Sequence, residues 1–318
     1  MARNFTGIEG VDVKVISDRN RGALERAQKS FPNILMTHDD REVLRSSHID
    51  AVAIITPIST HYEMARMALE NGKHVFVEKP FTTSAAQAEE LIELAEKKKL
   101  KIMVDHTFLF TGAVKKMKEL IDTDVLGKLY YFDSTRVNLG LVQNDANVVW
   151  DLAPHDLSIM DYLIEKKPSA LAASGVAHIN GQEDIAYIVI YFPDKLIAHF
   201  TINWLSPVKI RTMLIGGHKK MLVWNDMVAD EKIRIYDKGI EVEDKMKSYS
   251  LRINYRSGDM YAPKLEQVEA LNREAEYFIR CISEDIDPIN NGTAGLRVVK
   301  LLEAVILSLK SNGSIIVL

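Results

Sequence analysis

AVAIITPISTHYEMARMALENGKHVFVEKP (51–80) holds two short apolar runs around one amphipathic stretch. AVAII (51–55) is apolar throughout and rich in β-formers, the pattern of a strand buried on both faces. The stretch after it predicts a helix over about 59–71, with a serine start at Ser59 and a stop at Asn71-Gly72. HVFVEKP (74–80) is a second strand, closed by Pro80. The same alternation extends both ways. Upstream, VDVKVIS (11–17) reads as a strand and RGALERAQKSF (21–31) as a helix, with Leu24, Ala27 and Phe31 at helical spacing. Downstream, SAAQAEELIELAEKKK (84–99) is a helix with a serine cap, early acids and late lysines, and KIMVD (101–105) is a further strand. Strands and helices alternating through short connections predict a parallel, doubly wound α/β sheet, a Rossmann-type domain over 1–108.

After residue 108 the rhythm changes. A helix near 112–121 leads into the long strand LYYFDSTRVNL (129–139), and a helix follows near 152–164. ALAASGVAHI, AYIVIYF, LIAHFTINWL, KIRTMLIGG, KMLVWN and KIRIYD then come close together as strands, with Asp194-Lys195 at a hairpin turn between two of them. Helices return at 265–283 and 294–311. The expectation is a second, α+β domain over 109–318 with an open, mostly antiparallel sheet.

Composition narrows the function. At 318 residues the chain is long enough for two domains, taking ~150 residues as a soft prior for each. Forty basic and 44 acidic residues give a net charge of −4, so no global positive field invites nucleic acid or an anionic membrane. One cysteine, Cys281, leaves no internal disulfide framework and fits a reducing, cytoplasmic setting. No apolar run approaches the ~18 residues of a membrane span. The opening MARNFTGIEG lacks the apolar segment of a secretory signal, so the Asn291-Gly292-Thr293 sequon has no secretory context. The nine histidines form no H-E-x-x-H pattern, so no metal site is expected, and no G-x-S-x-G or Cys–His signature marks a nucleophile.

A dinucleotide-binding domain normally opens with a strand, a G-x-G-x-x-G turn and a helix, whose amides meet the pyrophosphate. That turn is absent from this sequence, which runs from ARNFTGIEG directly into VDVKVISD. The strand ending in Asp18 matches the second strand of such a fold, where an acid accepts from the adenosine ribose hydroxyls. By itself Asp18 is as readily a turn residue before RNRGAL. The pattern predicts a gap where the central strand belongs, with residues 1–10 supplying none.

Three stretches together carry a family resemblance: TPISTHYEMARMALENGKHVFVEKP (56–80), VVWDLAPHDLSIMDYL (148–163) and GLRVVKLLEAVILSL (295–309). They resemble the Gfo/Idh/MocA oxidoreductases, the glucose–fructose oxidoreductase and inositol dehydrogenase family, from Val11 to about Leu309. The E-K-P triplet followed downstream by D-x-x-x-H is specific in combination. TRVNLGLVQNDANVVWDLAPHD resembles a branch acting on nucleotide-linked sugars, the UDP-N-acetylglucosamine 3-dehydrogenase-like enzymes. Against the family pattern this chain looks N-terminally truncated, which bears on its pyrophosphate site. The resemblance implies nicotinamide-dependent oxidation of a sugar secondary alcohol, with NAD as cofactor. Arg19 beside Asp18 leaves NADP open.

The resemblance also assigns roles. Lys79 stands at a strand's carboxyl end, where open α/β sheets bind ligands. A cation there orients a hydroxyl and favours its alkoxide form. An isolated E-K-P would be no more than a strand-end lysine paired with its neighbour; the resemblance makes Lys79 catalytic and has Glu78, Lys79 and Pro80 shape the nicotinamide pocket. Asp151 and His155 lie one helical turn apart on one face. His155 is the natural general base, since imidazole titrates near pH ~6.5. Asp151 either caps the helix, with Pro154 in its first turn, or holds substrate. Thr56 and Pro57 make a turn that lies along the cofactor in the resemblance, with His61 near it, though by itself an ordinary capping turn is as good a reading; His106 lines the nicotinamide site in the resemblance. Arg136 and Asn138 share a strand face, where an arginine suits a diphosphate; a solvated face is as good a reading. Trp150 walls the cleft or belongs to the core. The rivals are a non-catalytic sugar or dinucleotide sensor on the same fold, and a dehydrogenase of a free sugar, inositol or linear imine. An exposed sheet face suits a homo-oligomer, a dimer or tetramer.

Overall fold

The computed structural model describes residues 1–140, 146–243 and 252–318. The LVQND portion (141–145) of the branch-like string lies outside the described residues. The chain divides into two compact units, Met1–Phe110 with Val268–Lys300, and Thr111–Gln267 with Leu301–Leu318. In chain order the elements are α1 (Ala2–Thr6), β1 (Val15–Ser17), α2 (Arg21–Ser30), β2 (Leu35–Thr37), α3 (Asp40–Arg45), β3 (Ala51–Ile54), α4 (Ile58–Glu70), β4 (His74–Val77), α5 (Ala85–Lys98), β5 (Ile102–Val104), α6 (Gly112–Asp122), β6 (Leu129–Leu139) and α7 (Val148–Leu163). There follow β7 (Ala170–Val176), β8 (Ile185–Tyr191), β9 (Ile197–Asn203), β10 (Leu205–Gly217), β11 (Met221–Asn225), β12 (Ile233–Glu243), β13 (Arg252–Tyr261), α8 (Ala270–Ser283), α9 (Gly292–Lys310) and β14 (Ile316–Val317).

The first unit is the expected Rossmann-like α/β layer. β3, β4 and β5 form a parallel sheet in that order, while β1 and β2 pair in parallel as a separate ladder. Among the described residues no ladder joins β1 to β3, and residues 2–6 are helical, so the expected gap is present. Val75, Phe76, Val77, Met103 and Val104 are wholly buried, which accounts for the unbroken apolar runs of β4 and β5. Phe76 meets Phe5 and Phe278 edge-on, with centroids 5.8 and 5.7 Å away, joining α1, β4 and α8. Ser84 caps α5 by accepting from the Gln87 amide. Ser59 does not cap α4: the helix starts at Ile58, and the Pro57 carbonyl accepts from the Thr60 amide at 2.9 Å.

The sequence boundary at 108 assigns everything after it to the second domain, yet Val268–Lys300 packs with the first unit. The reason lies in side chains. Ala275, Phe278 and Cys281 bury one stripe of α8. Asn290 donates to the Val104 carbonyl at 2.6 Å. Gly295 lets α9 press on β5, since a Cβ there would stand 2.7 Å from Val104 Cγ2.

The second unit is built on a nine-stranded sheet, order β13-β12-β11-β10-β6-β9-β8-β7-β14. All neighbours are antiparallel except β6 and β9. Asp194 and Lys195 both take left-handed φ (63° and 64°) between β8 and β9, as a tight hairpin requires. α7 lies against β6, β8 and β9 over Phe132, Ala198, Phe200 and Ile202, all wholly buried. Tyr187, Tyr191, Ile197 and Leu214 alternate out of this packing and are exposed.

Candidate functional site

In the first unit, parallel pairing places Ile54, Val77 and Val104 near one another at the carboxyl ends of β3, β4 and β5. The residues that follow, Thr56-Pro57, Glu78-Lys79-Pro80 and Asp105-His106, therefore gather at one edge of the sheet, where open α/β sheets take ligands. His61 is buried and braces two of these turns: its Nε2 lies 2.8 Å from the Thr56 carbonyl and its Nδ1 2.9 Å from the Pro80 carbonyl. Burial pulls this imidazole below its ordinary value, so it is neutral and only one nitrogen donates. Two carbonyls flank the ring, and one of them accepts from it. The Thr60 hydroxyl lies 2.7 Å from Thr56 Oγ1. Lys79-Pro80 is a cis peptide.

His106 differs. It is buried, and neither ring nitrogen has a hydrogen-bond partner among the described residues. Burial, with the charges of Lys79 and Arg297 nearby, pulls it down to about 3, so the ring is neutral. A neutral imidazole with two open nitrogens at the strand ends suits an uncharged polar group such as a carboxamide or hydroxyl. Beside it Glu78 is pushed up to about 8, by burial first and then by the Asp105 charge. Burial also raises Asp105. Asp18 ends β1, is exposed, and accepts from the Asn20 amide at 2.7 Å; the nearest Arg19 nitrogen lies 3.6 Å from Asp40.

In the second unit α7 carries Trp150, Asp151 and His155, all half-buried. Asn147 is the N-cap and accepts from the Trp150 amide at 3.1 Å. Asp151 therefore does not cap the helix. Instead it accepts from the Trp204 indole N–H at 3.1 Å. Pro154 lies past the first turn, contrary to the expected placement, because α7 starts at Val148 rather than 152. Lacking an N–H, it leaves the Trp150 carbonyl without its helical donor. The Arg136 expectation also changes. Its guanidinium is buried and forks onto Asp156, Nε to Oδ2 and an Nη to Oδ1, both at 2.8 Å. Its face of β6, shared with Phe132 and Ser134, is the one packed on α7. Asn138, on the same face, is half-buried near the strand end.

The structure thus gathers Thr56, Pro57, His61, Glu78, Lys79, Pro80 and His106 in one unit, and Trp150, Asp151 and His155 on one helix of the other. Asp18 stands on the separate β1–β2 ladder. Sequence reasoning missed Asp105, Glu274, Asn290, Asp156 and Trp204. For two of these the signal was present: Glu274 interrupts the apolar stripe of α8, and Asp156 interrupts that of α7.

Fold and strand-end chemistry together define a two-domain nicotinamide-dependent oxidoreductase. A family model for the "Oxidoreductase family, NAD-binding Rossmann fold" (GFO_IDH_MocA) matches residues 2–106, and one for the "GFO/IDH/MocA C-terminal domain" matches residues 114–223. The chain belongs to the Gfo/Idh/MocA family, whose members oxidise sugars or polyols with NAD(P). It is 26% identical over 258 residues to UDP-N-acetylglucosamine 3-dehydrogenase of Acidithiobacillus ferrooxidans, covering 79% of this chain and 76% of that one. It is 29% identical over 236 residues to scyllo-inositol 2-dehydrogenase (NAD(+)) of Bacillus subtilis, covering 70% and 69%. The solved Acidithiobacillus enzyme superposes with a TM-score of 0.80 at 22% identity over 98% of this chain and 93% of that one.

Proposed function

We propose that this enzyme oxidises a secondary alcohol of a nucleotide-linked sugar, at C3 of a UDP-N-acetylglucosamine-like substrate, or runs that reaction in reverse. What supports this is an E-K-P turn at the strand ends of the first unit and, in the second, Asp151 and His155 one turn apart on a helix whose cap is another residue. His155 takes the hydroxyl proton. Lys79 stabilises the developing alkoxide charge. Asp151, oriented by Trp204, holds a neighbouring hydroxyl. The cofactor, when bound, supplies the hydride acceptor. His106 with its open nitrogens and the Glu78-Lys79-Pro80 turn are the residues that suit its nicotinamide end. Asp18 suits the ribose diol and favours NAD over NADP. The exposed aromatic face of the second sheet supports a homo-oligomer; light scattering should give at least a dimer mass, and a monomer at micromolar concentration would count against it.

A second reading, a free sugar or inositol as substrate, is favoured by Arg136. Its fork is committed to Asp156 and so does not serve a diphosphate. Steady-state turnover of UDP-N-acetylglucosamine, inositols and free hexoses with NAD separates the two readings. With whichever substrate is turned over, His155→Ala and Lys79→Ala should each lower kcat by about 100–10,000-fold without loss of fold. Asp151→Asn should lower turnover at unchanged melting temperature, since Asn147 keeps the cap. Full activity of His155→Ala would exclude the mechanism.

A further inference from the structure

Helix α8 turns an acid inward. Glu274 is wholly buried, in a stripe otherwise made of Ala275, Phe278 and Cys281. One carboxyl oxygen, Oε1, accepts from Asn290 Nδ2 at 2.9 Å. The other, Oε2, is buried with no donor among the described residues. An ionised carboxylate in that position would leave a buried oxygen unsatisfied, at a cost of about 1–3 kcal/mol or more. Beside burial, the acids Asp105 and Glu78 both act on Glu274. Asp105 in turn is 6% exposed, and Glu274, Glu78 and the Thr107 amide are the groups that act on it. Three carboxyls thus meet where Asp105 lies between the other two.

Three neighbouring carboxylates, two of them buried and Glu78 half-buried, cannot all be charged, for like charges at such range push protonation upward. No group of described acids, histidines and cysteines here has the arrangement to hold a metal ion. Protons are the remaining way to remove the charge. The orphaned Oε2 and the adjacent Asp105 account for each other if one proton sits between them. A carboxylic acid has one accepting and one donating oxygen, and Oε1 already accepts.

We propose that Glu274 is a positioning residue that stands protonated at neutral pH, donating from Oε2 to the Asp105 carboxylate, while protonated Glu78 donates to the same carboxylate from the next strand end. The cluster then carries a single negative charge centred on Asp105. Its donors tie the end of β4, the end of β5 and α8 into one unit. The Glu78-Lys79-Pro80 turn is held by that unit, and His106 follows directly on its central member. Burial and the Asp105 charge raise Glu274 well above the ordinary carboxylate range, in agreement with this geometry. The other charged groups facing the cluster are the Lys79 ammonium, which acts on Glu78, and the Met1 amine, which acts on Asp105. The catalytic side of the inference rests on Lys79 belonging to the active site.

The test combines carboxyl-carbon NMR of protein labelled at glutamate Cδ with two substitutions. Glu274→Gln keeps an acceptor for Asn290 and a donor for Asp105, so it also assigns the Glu274 signal by its loss. The expected result is a Glu274 carbon at its protonated position throughout pH 5–8, and a Glu274→Gln protein that folds and turns over substrate within about threefold of the parent. Glu274→Ala, which loses the charge-assisted donor, should lower turnover by about tenfold. An ionised Glu274 signal in that range would overturn the proposal. So would a Glu274→Gln protein that fails to fold or is as impaired as Glu274→Ala, or a Glu274→Ala protein as active as the parent. A protonated Glu274 in a protein that turns over no sugar would overturn the functional reading and leave the proton assignment standing.

Discussion

The two units bury acids beneath their candidate site residues, and they manage them in opposite ways. In the second unit Asp156 lies under His155 and is met by a guanidinium, two parallel hydrogen bonds at 2.8 Å from Arg136. In the first unit Glu274 and Asp105 lie behind the strand ends and are met by each other and, at Glu274, by the Asn290 amide. A buried charge needs a partner of opposite sign or a proton. The fork fixes geometry and pairs the Asp156 carboxylate with a cation. The proton-sharing set is softer, because its charge state follows solution pH.

That contrast can be broken at its stiffer end first. Arg136→Met strands the Asp156 carboxylate in the interior, and breaking a buried pair on one side typically costs about 3–5 kcal/mol. Urea denaturation should therefore show a large fall in stability for this single change. The double replacement Arg136→Met with Asp156→Leu should recover most of it, because no uncompensated charge is left. A single variant as stable as the parent would mean that the fork carries little.

The softer end should show in pH dependence. Glu78 rises from 4.5 to about 8 on folding, and Glu274 rises in the same direction, so between those limits the folded chain binds more protons than the unfolded one. Stability therefore falls as pH rises through this range, by up to about 1.4 kcal/mol per pH unit for each proton held. His106 runs the other way. Its folded value drops from 6.5 to about 3, so its contribution is present above 6.5 and is lost as pH falls toward 3. Between 6.5 and 8 only the acids of this set act, and denaturation free energy should decline there, with a flatter curve in Glu274→Gln. A stability that climbs from pH 6.5 to 8 would remove the contrast between the two units.

Local patterns made much of the fold legible. β3, β4 and β5 were readable because strands buried on both faces need unbroken apolar runs, and Ser84 was readable because a cap is a matter of four consecutive residues. Asp194-Lys195 was readable because few residues precede a hairpin return. Lys79, Asp151 and His155 were singled out through their place in a family pattern. The partnerships were not legible. Asp105 and Glu274 stand far apart in the chain, and nothing in the periodicity of α8 says which strand end receives its acid. Arg136 looked available because strand alternation gives a face but not what covers it. His61 was assigned to the cofactor, whereas tertiary packing sets its ring between the carbonyls of two turns.

The return of Val268–Lys300 to the first unit has a consequence for synthesis. The nascent chain must add residues 111–267 after Phe110 before α8 can begin to emerge. At translation rates of about 5–20 residues per second that interval is on the order of ten to thirty seconds. Throughout it, the Phe76 ring lacks Phe278 and the Asp105 carboxyl lacks Glu274. The half-made layer thus waits on the ribosome with an apolar surface and an unshielded acid exposed, a natural client for chaperones that bind uncovered sheet faces until α8 arrives.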